Sequence, residues 1–151
     1  MRLMALDYGS VTVGVAVTDP LGITAQPLET IPRKQENHLR KTYSRLETLV
    51  RELQVDAIIL GRPVFLNGAE GERAEFCELF RQGLERRLAG LQIPVIYHDE
   101  CLTTVAADEI LAEMEIRPED RKQYIDAVAA AVILRDYMNT KEFETWKEKR
   151  T

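Results

Sequence analysis

Residues 56–61, DAIILG, form a short unbroken apolar run set between two segments whose apolar residues recur with helical period. A strand that is apolar on both sides has to be covered on both sides, so this stretch calls for a layered α/β arrangement. Ahead of it, Leu39, Tyr43, Leu46, Leu49, Val50 and Leu53 mark an amphipathic helix, and after it Phe76, Phe80, Leu84 and Leu88 recur every four residues. The central strand is therefore flanked by helices in the chain, and strands joined through helices run parallel.

The rest of the chain extends this pattern. RLMALD, TVGVAVTD and ITAQPLET read as three strands separated by Gly9-Ser10 and Pro20-Leu21-Gly22, turns short enough for an antiparallel meander. PVIYHDE at 94–100 is a further strand that ends in acids. A helix follows from residue 104, with Thr103 or Thr104 as its cap. Pro118 restarts the chain, and Ile125, Val128, Ala129, Val132, Ile133 and Tyr137 give a last helix with a strongly apolar face. The fold class is α/β, with a five-stranded mixed sheet: a three-strand antiparallel meander plus two parallel strands, flanked by helices. At 151 residues the chain is the size of one domain, taken as residues 1–138, and the charged segment 139–151 is a tail that frays or continues as an exposed helix.

Composition narrows the setting. Cys77 and Cys101 are far apart, without the paired spacing of a zinc site or a disulfide framework, which fits a reducing cytoplasm. The N-terminus lacks the order of a signal peptide, and the apolar run AVAAAVIL at 127–134 is too short to span a bilayer, so no membrane partner is expected. A net charge of −5 argues against a protein that coats nucleic acid. Its distribution is uneven, however: RKQENHLRKTYSR at 33–45 holds five basic side chains and one glutamate. Arg33, Lys34, Arg40 and Lys41 either steer an RNA strand or form a solvated helix face.

Asp7 stands where the first strand leaves the sheet, and Asp99 and Glu100 stand at the end of the last. Ligands gather at the carboxyl ends of parallel strands, and Asp126, early in the final helix, can reach the same place. Two carboxylates about 4 Å apart repel by roughly 4 kcal/mol at an effective dielectric near 20, so such a group must share protons or hold cations. Oxygen ligands without histidine or cysteine favour Mg²⁺ or Mn²⁺, and a pair of such ions suits phosphodiester cleavage. On this reading Asp7 is a metal ligand fixed on a rigid strand, and Gly9 lets a phosphate backbone come close. The alternative is an aspartate that caps a turn.

Asp7-Tyr8-Gly9-Ser10, Gly14, the loop from Gly61 to Gly68, DECLTT at 99–104 and KQYIDAVAAAVIL at 122–134 together resemble the YqgF family, also called the RuvX family, in order from residue 1 to about 138. The resemblance implies a ribonuclease H-like fold related to the RuvC resolvases. It also implies a divalent-metal nuclease of the bacterial cytoplasm that matures the precursor of small-subunit (16S) ribosomal RNA or, on an older proposal, resolves Holliday junctions in DNA. It places the acidic triad, catalytic and metal-binding, on Asp7, Glu100 and Asp126, with Asp99 as a neighbour. The glycine loop falls on Gly61, Pro63, Asn67 and Gly68. Residues expected to meet the substrate are Gly9, Ser10, Arg62, Asn67, Thr103, Thr104 and Lys122. The implied partner is nucleic acid, and the protein is a monomer or a homodimer.

Two positions depart from the family's usual pattern. The loop reads GRPVFLNG, with Val64-Phe65 where a lysine is common, and Cys101 replaces the arginine that usually follows the acidic pair. Cysteine cannot grip phosphate as a guanidinium does. A nucleic-acid-binding module with impaired catalysis is therefore a second reading. A third is half of an actin-like ATPase, whose phosphate loop also begins Asp-x-Gly-Ser/Thr; that architecture needs two halves.

Overall fold

A computed structural model describes residues 1–63, 71–100 and 104–149, with the backbone alone at residues 63, 71, 72, 100 and 104. Strands β1 (Leu3–Tyr8), β2 (Thr12–Thr18) and β3 (Ala25–Pro32) come first, followed by helix α1 (Arg40–Leu53), β4 (Ala57–Pro63), α2 (Gly71–Leu88), β5 (Val95–Glu100), α3 (Thr104–Glu113), α4 (Ile125–Met138) and α5 (Lys141–Lys149). Short 3-10 turns at Ala89–Leu91 and Pro118–Gln123 precede β5 and α4. The five strands form one sheet in the order β3-β2-β1-β4-β5. β1, β2 and β3 pair antiparallel, and β1, β4 and β5 pair parallel. This is the mixed sheet the pattern predicts, with β4 at the β1 edge of the meander.

Side-chain alternation divides the core into two layers. Met4, Leu6, Val13, Val15, Ile58 and Leu60 face α1 and α2, where Leu46, Leu49, Phe80 and Leu84 cover them. Leu3, Ala5, Ala16, Ala57 and Ile59 face α4, covered by Val128, Ala131, Ile133 and Leu134. The two faces of β1 therefore lead to different neighbours. Tyr8 continues the α2 side, with its ring stacked on Phe80 at 4.6 Å between centroids. Asp7 continues the α4 side.

β3 begins two residues later than its sequence predicts. The Asp19 carboxylate accepts the backbone N–H groups of Leu21, Ile23 and Thr24, which holds 19–24 as a turn around Gly22 (φ 72°) and keeps Ile23 out of the strand. The chain beyond Asn139 is helical but docked: Phe143 is buried and packs against Tyr137, with ring centroids 6.0 Å apart. Alternating charges concealed that contact in the sequence.

Candidate active site

Two glycines determine how α4 lies on the sheet. A Cβ built on Gly14 would stand 1.9 Å from the backbone oxygen of Asp126, and one on Gly61 would stand 2.5 Å from Cδ1 of Ile133. Gly14 is on β2 and Gly61 on β4, the strands on either side of β1. Residues 126 and 133 are seven apart, about 10.5 Å along a helix, and β2 and β4 are two strand spacings apart, about 9.5 Å. The near match of these two lengths is what a helix running across the strands, above β1, gives, resting on a bare backbone at each contact. Ala127, Ala130 and Ala131, all buried, keep the helix close between those points.

This geometry brings Asp126 to Asp7. Gly14 is the cross-strand partner of Asp7, and both point toward α4. The backbone of Asp126 therefore sits directly over the residue opposite Asp7, in the first turn of α4, where an acid also suits the helix dipole. Both residues are partly exposed. Glu100 ends β5, paired with Pro63 on β4, two strands from β1 at the same carboxyl edge of the parallel strands.

Asp99 takes a different direction. Successive strand residues face opposite sides, and Asp99 shares the α2 side with Tyr97. Arg62, its register partner, donates to its carboxylate at 3.0 Å from Nε and 2.7 Å from Nη2, with the guanidinium 5.4 Å from the Tyr97 ring. The convergence of acids expected at this edge thus leaves Asp99 out, because strand alternation turns it onto the α2 face with Tyr97. His98, on the α4 side, lies 2.5 Å from the Asp136 carboxylate and edge-on to Tyr137, which anchors β5 to α4.

The β1–β2 turn is closed by the Gly9 N–H donating to the Thr12 carbonyl at 2.8 Å, with Ser10 and Val11 exposed at its tip. Lys122 is exposed in the 3-10 turn ahead of α4, and the neighbouring Arg121 lies 3.9 Å from the Asp108 carboxylate. Thr104 opens α3. Asn67 and Thr103 lie outside the described residues, as do Val64, Phe65, Gly68 and Cys101. Among the described residues, no group of three or more histidine, cysteine, aspartate or glutamate side chains is placed to hold a metal ion. The pair Asp7 and Asp126 offers hard oxygen donors of the kind Mg²⁺ and Mn²⁺ prefer.

Arg33 is a correction to the sequence reading. Its side chain is only 2% exposed. It donates to the Gly9 carbonyl, to the Glu36 carbonyl at 3.2 Å and to the Glu36 carboxylate at 2.7 Å, with the Tyr8 ring 4.8 Å below it. Glu36 also accepts from Arg73 of α2 and from the Tyr8 hydroxyl at 2.8 Å. Burial, followed by the Glu36 hydrogen bond, pushes the Tyr8 pKa up to about 12. This network clamps the turn that follows Asp7, and the sequence carries no spacing signal for it.

With the geometry established, comparison with known proteins places the chain. The family model RuvX, described as Holliday junction resolvase, matches residues 1–140. The chain belongs to the RuvX family. A protein of Lachnospira eligens named "Putative pre-16S rRNA nuclease" is 52% identical over 142 residues, covering 94% of this chain and 99% of that one. A relative of the same name from Listeria monocytogenes is 44% identical over 93% of this chain and 99% of its own length. Among solved structures, Thermus thermophilus RuvC in complex with a Holliday junction substrate matches with TM-score 0.56 at 16% identity, covering 93% of this chain and 97% of that one. Fowlpox virus resolvase bound to junction DNA matches with TM-score 0.51 at 11% identity, over 91% and 97%. At such identities the structural matches show the fold alone. It is the ribonuclease H-like fold of the RuvC resolvases, as this RuvX-family sequence led us to expect.

Proposed function

We propose that this protein is a nuclease that hydrolyses phosphodiester bonds in structured RNA and matures the precursor of 16S ribosomal RNA in the bacterial cytoplasm. Asp7, Glu100 and Asp126 would hold the divalent cation, Mg²⁺ or Mn²⁺. The observation that carries this reading is the seating of Asp126 on Gly14, directly opposite Asp7. The relatives' names supply the substrate class. Among the described residues, no helix is long and apolar enough to cross a membrane.

A hard cation held by these residues would supply charge for the phosphate oxygens and would lower the pKa of an attacking water. The chain's own part is positional. The backbone of Asp7 is held in β1 by its pairing with Gly14, and the backbone of Asp126 is fixed by its contact with the same glycine. The turn after Asp7, with Ser10 and Val11 exposed at its tip, is where a sugar-phosphate strand would pass. We assign exposed Lys122 to a phosphate flanking the cleaved bond, whereas Arg62, held on Asp99 over Tyr97 on the α2 face, would meet the strand only as it leaves the site. Thr103, Thr104 and Asn67 complete the proposed contacts.

The family description favours a second substrate, the four-way DNA junction. A resolvase cuts two strands symmetrically and requires two active sites, hence a homodimer. The deciding experiment incubates purified protein and Asp7→Asn with precursor 16S RNA and with a four-way junction, in Mg²⁺ or Mn²⁺. Metal-dependent RNA products that fall at least about a hundredfold in the variant are expected, given that even outer-shell changes at metal sites cost 10- to 100-fold. Equal products from both proteins would overturn the assignment, and cleavage of the junction alone would move it to DNA.

A further inference from the structure

A groove of about 880 Å³ lies in front of α1, lined by Pro32, Arg33, Lys34, His38, Arg40 and Lys41, among others. Arg33 ties it to the turn that follows Asp7: its backbone N–H donates to the Val11 carbonyl at 2.8 Å and its side chain to that of Gly9.

The charges of this groove are unmatched. Arg45, further along α1, is paired with Glu29 at 2.7 Å, but Lys34, Arg40 and Lys41 are exposed and make no ion pair among the described residues. Glu36, the one carboxylate of the connecting segment, is shared between two guanidiniums, Arg33 and Arg73, which leaves surplus positive charge behind the groove. The first turn of α1 carries Arg40 and Lys41, has no acid and has no side-chain cap. Cations at a helix N-terminus are unfavourable alone, because the dipole there is already positive, and the combination suits a bound anion. Buried Arg33, which lines the same groove, keeps an Nη1 with no hydrogen-bond partner among the described residues. A buried guanidinium N–H without an acceptor is costly, and an anion in the groove is the ligand class that supplies one.

We propose that this groove binds the phosphodiester backbone of the RNA strand flanking the cleaved bond, with Lys34, Arg40 and Lys41 at its edge and Arg33 in its wall. The inference rests on the reading of the chain as acting on nucleic acid. It separates binding from cleavage: the carboxylates cut, and a basic track on the opposite face of β1 grips.

The test is binding of a fluorescently labelled single-stranded RNA in EDTA, where no cleavage occurs, as a function of salt. The triple variant Lys34→Gln, Arg40→Gln, Lys41→Gln is compared with a control of equal charge change on α5, Lys141→Gln, Lys147→Gln, Lys149→Gln. Three lost phosphate contacts should reduce the slope of log K against log salt by about 2 and weaken low-salt binding more than about tenfold, with the control near wild type. DNA of the same length should show the same change, since the phosphates are shared. An unchanged slope, an equal drop in both triples, or no RNA binding by wild type would overturn the groove. The failures are distinguishable: wild type that binds through the groove but never cuts removes the nuclease reading alone. A wild type that cuts while the slope ignores the groove residues removes this inference alone. Because the substituted side chains are exposed, the thermal midpoint verifies that every variant is folded.

Discussion

At the scale of single residues, the account depends on what a methyl group would strike. Gly14→Ala places a Cβ 1.9 Å from a backbone oxygen that belongs to a helix and cannot turn away, whereas Gly61→Ala meets the terminal methyl of Ile133 at 2.5 Å, which can rotate. Overpacking typically costs about 1–3 kcal/mol, so Gly14→Ala should sit at or above the top of that range and Gly61→Ala near the bottom. Urea unfolding of both measures this, and the reverse order would contradict the packing described. Glu36→Ala strands the buried Arg33 charge and should cost about 3 kcal/mol in the same assay. A loss below about 1 kcal/mol would show that the network contributes little. Of these residues, Gly14 was visible in the sequence as the glycine interrupting a valine-rich strand, but its partner was not. Close backbone approach is a property of two distant segments, and neither contains it alone. Arg33 was misread for a similar reason: a basic run looks solvated until the Tyr8 ring and the run's own Glu36 close over it.

At the scale of elements, α4 is the piece that makes the site, since one helix touches both strands that flank β1. Its apolar period from Ile125 was plain in the sequence, and Pro118 marked the restart of the chain ahead of it. Its direction across the sheet was not, because it follows from the spacing of two glycines on different strands. On the opposite face, β5 is fastened to α2 by Glu78. Its carboxylate accepts from Arg81 at 3.0 Å and from the Tyr97 hydroxyl at 2.6 Å. The Arg81 hydrogen bond, followed by that of Tyr97, lowers the Glu78 pKa from 4.5 to about 2. A carboxylate whose folded pKa is depressed contributes stability that is complete above its unfolded value and vanishes as pH falls through the folded one. The difference in Tm between wild type and Glu78→Gln should therefore persist at pH 6, shrink below about pH 4.5 and be gone near pH 2. A difference that stays constant across that range would contradict the assigned role. At the chain's end, Phe143→Ala should cost about 3 kcal/mol if α5 belongs to the folded unit, which thermal unfolding decides. A change within about 0.5 kcal/mol would return α5 to a loosely attached tail.

For the whole molecule, strand count, strand direction and the sequence of helices were legible because each element carries its own period and its own turn chemistry. Asp19-to-Thr24 is the instructive exception, where a side-chain carboxylate captured backbone amides and delayed a strand. The chemistry of the site was legible as residue types at strand ends. That Asp99 turns away while its neighbour ends the strand at the same edge follows from alternation, once β5 is placed in register with β4. The molecule that results carries Asp7 and Asp126 on the α4 side of β1 and the exposed cations Lys34, Arg40 and Lys41 on the α1 side, joined by one tight turn.

The central claim is that Asp7, Glu100 and Asp126 form a single cation site. It is tested most directly by titrating Mn²⁺ into the wild-type protein and into Asp7→Asn, Glu100→Gln and Asp126→Asn, following the thermal midpoint. A cation held by the folded state adds stability as RT ln(1 + [L]/Kd), about 2.7 kcal/mol at a hundredfold excess over Kd. The account predicts a rise in Tm with Mn²⁺ for wild type that each single substitution abolishes or sharply reduces, and the same rise in all four proteins would contradict it.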